Sequence, residues 1–268
     1  MKKRGIGIGS MFYGIGYGFS RQDISCVTVE ICDDGSVMCR TGEVDYGQGS
    51  DTVVCQIIAE ELGISYNEIQ LIAADTFFTP NAGPTSASRV TYVMGNAALK
   101  AARKMRENLE VAAQDILGEK DLNFIDNEIH SKTKPDKKIS FEKLVKKYIH
   151  YGLPMVETGW FDNTTKDVDP ETGQGDAYAL YAYASQLAVV EVDTETGKVD
   201  VLKVVAAHDV GKAINPVNVE GQIEGGVLMG VGYTLTEELK LKNGKAENMS
   251  LGEYLLSTSA DAPEIEAH

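Results

Sequence analysis

The sequence has few basic residues for its length. Its 268 residues include 25 Lys and Arg against 40 Asp and Glu, which gives a formal net charge of −15. Nucleic acids and anionic membrane surfaces are bound through clustered Lys and Arg side chains. The basic stretch 137–147 is too local to reverse the overall balance. The composition therefore argues against nucleic acid and an anionic membrane surface as partners.

Long apolar runs and paired cysteines are also missing. No run approaches the roughly 20 apolar residues that a membrane helix needs, and the start of the chain leads from basic residues into glycines. The four cysteines form no C-x-x-C pair, so they predict buried thiols instead of a zinc or iron–sulfur site. We therefore expect a cytoplasmic protein in a reducing compartment.

Two familiar motifs are absent: the dinucleotide-binding glycine motif and a catalytic nucleophile beside a histidine. The glycines of 5–9 and 14–18 do not have the G-x-G-x-x-G spacing of a dinucleotide fold, so they indicate a glycine-rich strand that packs closely against a backbone or a ligand. His208 and Asp209 have no serine or cysteine nucleophile in a recognisable turn beside them. We interpret His208 as a histidine with a hydrogen-bond partner at the end of a strand.

The pattern of apolar residues predicts an α+β fold with mixed sheets in two lobes. A first lobe, 1–139, contains a β-β-α-β unit, and a second lobe covers 140–268. Segment 119–139 is expected to be peripheral, and 159–175 to be a loop. Predicted strands are 26–31, 37–41, 69–73, 185–193 and 199–207, and predicted helices are 52–62, 90–117, 140–150 and 217–231.

Three short segments are candidate anion-binding loops. They are Gly47-Gln48-Gly49, Pro84–Arg89 and Gly221–Gly226, and each is predicted to lie at a helix start. Free backbone N–H groups and the helix dipole favour a charged, oxygen-rich ligand at such positions. Three of these segments together suggest one large polar cofactor.

Each residue in these loops also has a purely structural interpretation. Gln48 and Gln222 have amides that could bind a ligand edge, or could simply cap turns. Ser88 is typical of a helix cap, yet the small Ala87 before it leaves room for a ligand. Arg89 could pair with a surface carboxylate or with a phosphate group.

The combined motifs resemble a known family. The sequence is similar to the molybdenum-cofactor subunit of the xanthine dehydrogenase and aldehyde oxidase family, specifically to its second molybdopterin-binding lobe. The resemblance covers nearly the whole chain. It is carried by Gly42-Glu43-Val44-Asp45-Tyr46-Gly47-Gln48-Gly49, Pro84-Thr85-Ser86-Ala87-Ser88-Arg89, Asp209-Val210-Gly211, Asn215-Pro216 and Gly221-Gln222-Ile223-Glu224-Gly225.

The resemblance implies roles for individual residues. Gln48, Ser88 and Gln222 match positions that hydrogen-bond the pyranopterin and its phosphate or oxo groups, and the cofactor-binding set also includes Gly47, Gly49 and Arg89. Ala87 matches a small residue near the metal and the substrate. Tyr17 aligns with an aromatic residue that flanks a flat substrate, although a tyrosine in a sheet core is the alternative. The pterin dithiolene holds the metal, so no protein ligand for it is expected.

The family's activity sets the functional hypothesis. The resemblance implies an enzyme that oxidises a C–H bond of a purine, N-heterocycle or aldehyde with oxygen from water. The implied cofactor is molybdenum-molybdopterin, including its cytosine dinucleotide form. The first molybdenum lobe, the iron–sulfur clusters and the FAD are expected on partner subunits or domains.

One catalytic residue of the family has no counterpart. The family's general base is a glutamate in a Gly-x-Gly-Glu motif, and no residue of these 268 matches it; Gly230-Val231-Gly232-Tyr233 is not that motif. We therefore assign no catalytic residue and expect the isolated chain to be inactive. The alternative is a non-catalytic cofactor-binding or assembly module.

Overall fold

The structure, a computed structural model, describes all residues from Met1 to His268. The chain divides into a central unit, Gly14–Leu180, and a terminal unit, Met1–Tyr13 with Tyr181–His268. In chain order the elements are β1 (Lys2–Gly14), β2 (Ile24–Ile31), β3 (Val37–Thr41), α1 (Ser50–Leu62), β4 (Ile69–Ala73), α2 (Val90–Leu117), β5 (Leu122–Ile125), β6 (Glu128–Ser131), β7 (Lys138–Ser140), α3 (Phe141–Tyr148), β8 (Val156–Asp162), β9 (Tyr181–Asp193), β10 (Val199–Asp209), α4 (Pro216–Leu235), β11 (Leu241–Lys242), β12 (Lys245–Ala246), α5 (Leu251–Tyr254) and β13 (Glu264–Ala267).

The central unit is built on a four-stranded sheet in the order β4-β3-β2-β8. The predicted hairpin of β2 and β3 is confirmed, with Ile31 opposite Val37 and Gly35 at φ +93° in the turn. Strand β4 returns parallel to β3 after α1, so the sheet is mixed. The predicted α+β class with mixed sheets is thereby confirmed.

Helices α1 and α2 pack against this sheet and bury its apolar residues. The sequence pattern predicts both helices, and each ends at a glycine in the left-handed conformation, Gly63 and Gly118. Glycine is favoured there because it has no β-carbon to clash. Alanines such as Ala97, Ala98 and Ala101 are fully buried on α2 and let it approach the sheet closely.

Two predictions for the central unit are wrong in part: segment 119–139 is not peripheral, and the predicted loop 159–175 begins with strand residues. Segment 119–139 contains the sheet β5-β6-β7, and its alternate residues Leu122, Phe124 and Ile129 are buried in the main core. Residues 159–162 of the predicted loop belong to β8, which pairs with β2 along its length. The strands are short and rich in polar residues, so their burial depends on neighbours that are distant in sequence.

The terminal unit contains the sheet β1-β9-β10-β13, with α4 packed against β10 and β13. The glycine-rich segment forms the strand β1, as predicted. The predicted hairpin of β9 and β10 is confirmed, with Val192 opposite Val199. Val204, Ala206 and Val227 form the small core of this unit.

The predicted lobe boundary between residues 139 and 140 falls inside the central unit. Phe141 and Leu144 of α3 lie in the same core as the residues of α2, so the chain does not separate there. None of the helices is both long enough and apolar enough to span a membrane.

The close packing of β8 on α2 gives a testable prediction. A β-carbon at Gly159 would overlap the backbone carbonyl of Ala97 and would lie 2.6 Å from the backbone nitrogen of Ala101. We expect Gly159→Ala to lower the free energy of unfolding by about 1–3 kcal/mol, because the helix must move away. The measurement is urea unfolding followed by the fluorescence of Trp160, the single tryptophan.

Gly95→Ala is the matched control, because it adds the same methyl group to α2 where only the flexible end of Ile57 lies close, at 3.0 Å. We expect the control to change the urea midpoint less than Gly159→Ala does. Equal midpoints for the two variants would contradict the proposed packing constraint.

Candidate functional site

The loop that precedes α1 is folded around one carboxylate. Asp45 accepts hydrogen bonds from the backbone N–H groups of Gly47 (2.7 Å), Asp51 (3.1 Å) and Gly49 (3.4 Å). Desolvation raises the pKa of Asp45, but these N–H groups together outweigh it and hold that pKa below its usual value. The expectation that Gly47 and Gly49 present free N–H groups to an anion is therefore wrong. Only the N–H of Gln48, between them, has no acceptor within the chain.

The Gln48 side chain is also held inside its own loop. Its Oε1 accepts from the backbone N–H of Tyr46 at 2.8 Å, and its Nε2 donates to the carbonyl of Val44 (3.1 Å) and to Ser50 Oγ (2.9 Å). The amide therefore fixes the shape of the loop, as the turn-cap interpretation has it. Gly47 next to it is exposed at φ +116°, and a β-carbon there would meet only open space.

The loop that precedes α2 has an unusual backbone. Ala87 (φ +49°) and Ser88 (φ +53°) are both left-handed, a conformation that costs energy for residues with a β-carbon. Their backbone N–H groups have no acceptor within the chain, and the exposed hydroxyl of Ser88 makes no hydrogen bond. The strained loop thus presents two N–H donors and a hydroxyl to solvent.

Arg89 differs from the prediction. Its side chain is fully buried, and the Nε donates to Asp23 Oδ1 at 2.5 Å while Nη1 donates to Glu43 Oε1 at 3.3 Å. The remaining guanidinium hydrogen bonds go to the backbone carbonyls of Ala82 and Pro84 (Nη1) and of Ile24 (Nη2). Because every nitrogen is already bonded inside the protein, the predicted phosphate contact of Arg89 is not supported.

Glu43 is the second carboxylate beside a single buried cation. Desolvation raises its pKa to about 7, although Arg89 and the Thr85 hydroxyl lower it in part. Asp23 also pairs with Arg89, so an ionised Glu43 would be a second negative charge beside one buried cation. The neutral form is therefore favoured below neutral pH.

Tyr17 lies at the strained loop. Its hydroxyl is 2.6 Å from Ser86 Oγ, and its ring centre is 5.9 Å from the guanidinium carbon of Arg89. The residue is half-buried and comes three residues after the end of β1. The interpretation as a tyrosine in a sheet core is therefore wrong, and one side of Tyr17 joins the loop that carries Ala87 and Ser88.

Gln222 belongs to the terminal unit. Helix α4 begins at Pro216, where Asn215 caps it by accepting from the N–H of Asn218 at 3.0 Å. Gly221–Gly226 therefore lies in the middle of the helix, and the predicted helix start at this segment is wrong. Gln222 is exposed, and its amide makes no hydrogen bond. β-Carbons at Gly221 and Gly225 would meet nothing within 4 Å, so this helix face is open.

Sequence reasoning missed most of the residues that hold the central loops. Asp23, Glu43 and Thr85 are far apart in the chain, and a carboxylate two residues after a strand, as at Glu43, is a weak signal by itself. By contrast, the prediction for His208 is confirmed. Its Nε2 lies 3.1 Å from Gln186 Nε2, so His208 is a histidine near the end of a strand with a hydrogen-bond partner.

Comparison with known proteins identifies relatives along the whole chain. Residues 1–263 match the family described as the molybdopterin cofactor-binding domain. The chain is 30% identical over 98% of its length to a Bacillus subtilis protein named as a probable subunit of xanthine dehydrogenase, covering 34% of that protein. It is also 30% identical over 98% of its length to aldehyde oxidase 4 of Cavia porcellus, covering 18% of that protein. The chain thus spans about a third or less of these relatives.

Two solved structures have a similar fold over nearly the whole chain. Quinoline 2-oxidoreductase of Pseudomonas putida superposes with a TM-score of 0.84 at 27% identity, over 100% of this chain and 35% of that one. Aldehyde oxidoreductase of Desulfovibrio desulfuricans gives a TM-score of 0.79 at 32% identity, over 99% of this chain and 26% of that one.

Burial of Glu43 predicts a pH-dependent stability. The pKa of Glu43 is higher in the folded chain than in the unfolded chain, so the folded state binds the proton more tightly. Its contribution to stability is complete below about pH 4.5 and is lost as the pH rises towards about 7. We expect the parent to lose stability relative to Glu43→Gln across this range and to show no further relative change above it.

The measurement is the free energy of unfolding from urea titrations at several pH values. Asp45→Asn is a control of opposite sign, because the pKa of Asp45 is lowered in the folded chain. A difference between parent and Glu43→Gln that does not vary with pH would contradict the proposed charge state of Glu43.

Proposed function

Because the chain belongs to the molybdopterin cofactor-binding family of the molybdenum hydroxylases, we propose that it forms part of the cofactor site of an oxidoreductase. The observation that carries this proposal is the strained Ala87–Ser88 pair. Its two free N–H groups and the Ser88 hydroxyl fit a ligand that is rich in oxygen and negatively charged. The free N–H of Gln48 adds a third backbone donor.

Each residue then has a role of its own. Ser88 and the backbone of Gln48 would bind the polar edge of the molybdopterin, and Gln222 would donate or accept through its free amide. Ala87 keeps the loop small beside the metal. Tyr17, fixed through its hydroxyl to Ser86, would present its ring to a flat substrate. Arg89 holds the loop from behind instead of contacting the cofactor.

The bound cofactor would supply the oxidation of a C–H bond with oxygen from water. We propose a purine, an N-heterocycle or an aldehyde as substrate, since the relatives include a xanthine dehydrogenase subunit, an aldehyde oxidase and a quinoline oxidoreductase. The residues of this chain would position the cofactor and contribute electrostatic stabilisation. The nucleotide form of the cofactor, including the cytosine dinucleotide, belongs to the same proposal.

We also propose partners for this chain. The first molybdenum lobe, the iron–sulfur clusters and a flavin would lie on other subunits or domains, because relatives of this chain are named as subunits of larger enzymes. A location in the cytoplasm stays a prediction from the sequence.

A non-catalytic cofactor-binding or assembly module is the second candidate. It applies to these 268 residues taken alone, in which no Gly-x-Gly-Glu motif occurs. Gly230 and Gly232 lie within α4, and a β-carbon at Gly232 would meet the carboxylate of Glu237. Neither glycine therefore offers a position for the family's general base.

The isolated chain can be tested for molybdenum-dependent activity and for bound molybdenum. We expect no molybdenum-dependent turnover of purines, nicotinate or aldehydes with an artificial electron acceptor, because no residue matches the general base. We also expect the purified chain to contain far less than one molybdenum atom per molecule. Turnover by the chain alone, or stoichiometric molybdenum by elemental analysis, would overturn this expectation.

The roles of Gln48 and Gln222 can be separated in the assembled enzyme. Gln222→Ala should reduce the molybdenum content without lowering the melting temperature, because the Gln222 amide is free in the chain. Gln48→Ala should lower both quantities, since it removes three hydrogen bonds that hold the loop, each worth about 0.5–1.5 kcal/mol. Normal molybdenum content in both variants would show that the glutamines do not belong to the cofactor site.

A further inference from the structure

Three loops of the central unit meet at one buried side chain. They are the Tyr17 loop (15–23), the Gln48 loop (42–49) and the Ser88 loop (82–89). Arg89 lies at their junction and is 0% exposed. Its guanidinium donates to two carboxylates and to three backbone carbonyls, which belong to Asp23, Glu43, Ala82, Pro84 and Ile24.

Asp23 connects this cluster to the Tyr17 loop. One carboxylate oxygen accepts from Arg89 Nε, and the other accepts from the backbone N–H of Tyr17 at 2.8 Å and from Asn163 Nδ2 at 3.0 Å. Gly16 has φ +79°, and a β-carbon there would overlap the Asp23 carboxylate. The chain can therefore approach Asp23 this closely only with a glycine at position 16.

Glu43 and Thr85 connect the cluster to the Gln48 loop. The Thr85 hydroxyl lies 3.1 Å from Glu43 Oε2 and 3.0 Å from the carbonyl of Val44, and it accepts from the N–H of Val44 at 3.0 Å. The same Val44 carbonyl accepts from Gln48 Nε2. The position of Gln48 is thus tied through two contacts to the residues around Arg89.

We propose that Arg89 is the positioning residue that holds these three loops in one arrangement. The proposal rests on the proposed function, in which the same loops bind the cofactor and the substrate. A planar guanidinium can donate in several fixed directions at once, whereas a lysine ammonium is a single point with three donors. A lysine at position 89 therefore cannot donate to all five of the acceptors that converge on Arg89.

We expect the cluster around Arg89 to fix the arrangement of the three loops rather than to raise the free energy of unfolding. Replacing all three charged side chains together by neutral ones of similar size avoids the unpaired buried charge that removal of a single partner would leave. The directional hydrogen bonds between the loops are lost in that replacement. A neutral cluster should consequently fold but leave the loops free to move relative to one another.

Two backbone amides report directly on contacts between the loops. The N–H of Gly16 donates to the carbonyl of Ala87 at 2.9 Å and joins the Tyr17 loop to the Ser88 loop. The N–H of Val44 donates to Thr85 Oγ1 and joins the Gln48 loop to the Ser88 loop. The N–H groups of Ile64 and Lys132 are hydrogen-bonded elsewhere in the same unit and serve as internal references.

The test combines the triple change Asp23→Asn, Glu43→Gln and Arg89→Met in the full chain. We expect amide hydrogen exchange at Gly16 and Val44 to become about tenfold faster or more, with unchanged exchange at Ile64 and Lys132. The control is Arg40→Met with Glu30→Gln, which removes an ion pair of 2.5 Å between β2 and β3. This control should leave exchange at Gly16 and Val44 as it is in the parent.

Parent-like exchange at Gly16 and Val44 in the folded triple variant would overturn the proposal. If the triple variant does not fold, Arg89→Lys is measured in the same way, and parent-like exchange there would also overturn it. Molybdenum content of the assembled enzyme forms a second arm, and we expect it to fall in the Arg89 variants. A parent enzyme that binds no molybdenum would refute the proposed function, while the exchange data would still decide the role of Arg89.

Discussion

The desolvated cation of Arg89 is the constraint on which the arrangement of the three loops of the central unit depends. A buried guanidinium must have all its donors satisfied, and it obtains acceptors from three separate loops. Glycine at position 16 and the raised pKa of Glu43 both accord with this crowding, because a β-carbon at position 16 would overlap the Asp23 carboxylate and burial disfavours a second negative charge beside Arg89. Hydrogen bonds to this cluster hold the three loops in position.

The strained backbone of Ala87 and Ser88 gains its significance in the same setting. Two consecutive left-handed residues with β-carbons would relax if their loop were free. Arg89 follows them directly, and the carbonyl of Ala87 is held by the N–H of Gly16. The rigid surroundings thus maintain an energetically costly loop. The N–H groups of Ala87 and Ser88 in this loop have no acceptor within the chain. A preorganised donor set of this kind suits a large anionic cofactor.

Local signals in the sequence are sufficient for the elements with strong periodicity or turn residues. The Asp33-Asp34-Gly35 hairpin and the long helix α2 with its terminal Gly118 are predictable from neighbours in the chain. The buried strands β5–β7 are not, because their burial depends on helices that lie elsewhere in the sequence. Glycines within α4 resemble a helix start, since glycine spacing alone does not distinguish a cap from an open helix face. Arg89 and Asp23 are 66 residues apart, so no local pattern can show their pairing.

In the proposed function, the loops that Arg89 positions bind the molybdenum cofactor. A crystal structure of the assembled, cofactor-loaded enzyme tests it most directly. We expect cofactor oxygen atoms at about 3 Å from the backbone nitrogens of Ala87 and Ser88, with Arg89 still hydrogen-bonded to Asp23. A cofactor bound elsewhere, or an Arg89 side chain that turns out to contact the cofactor phosphate, would contradict it.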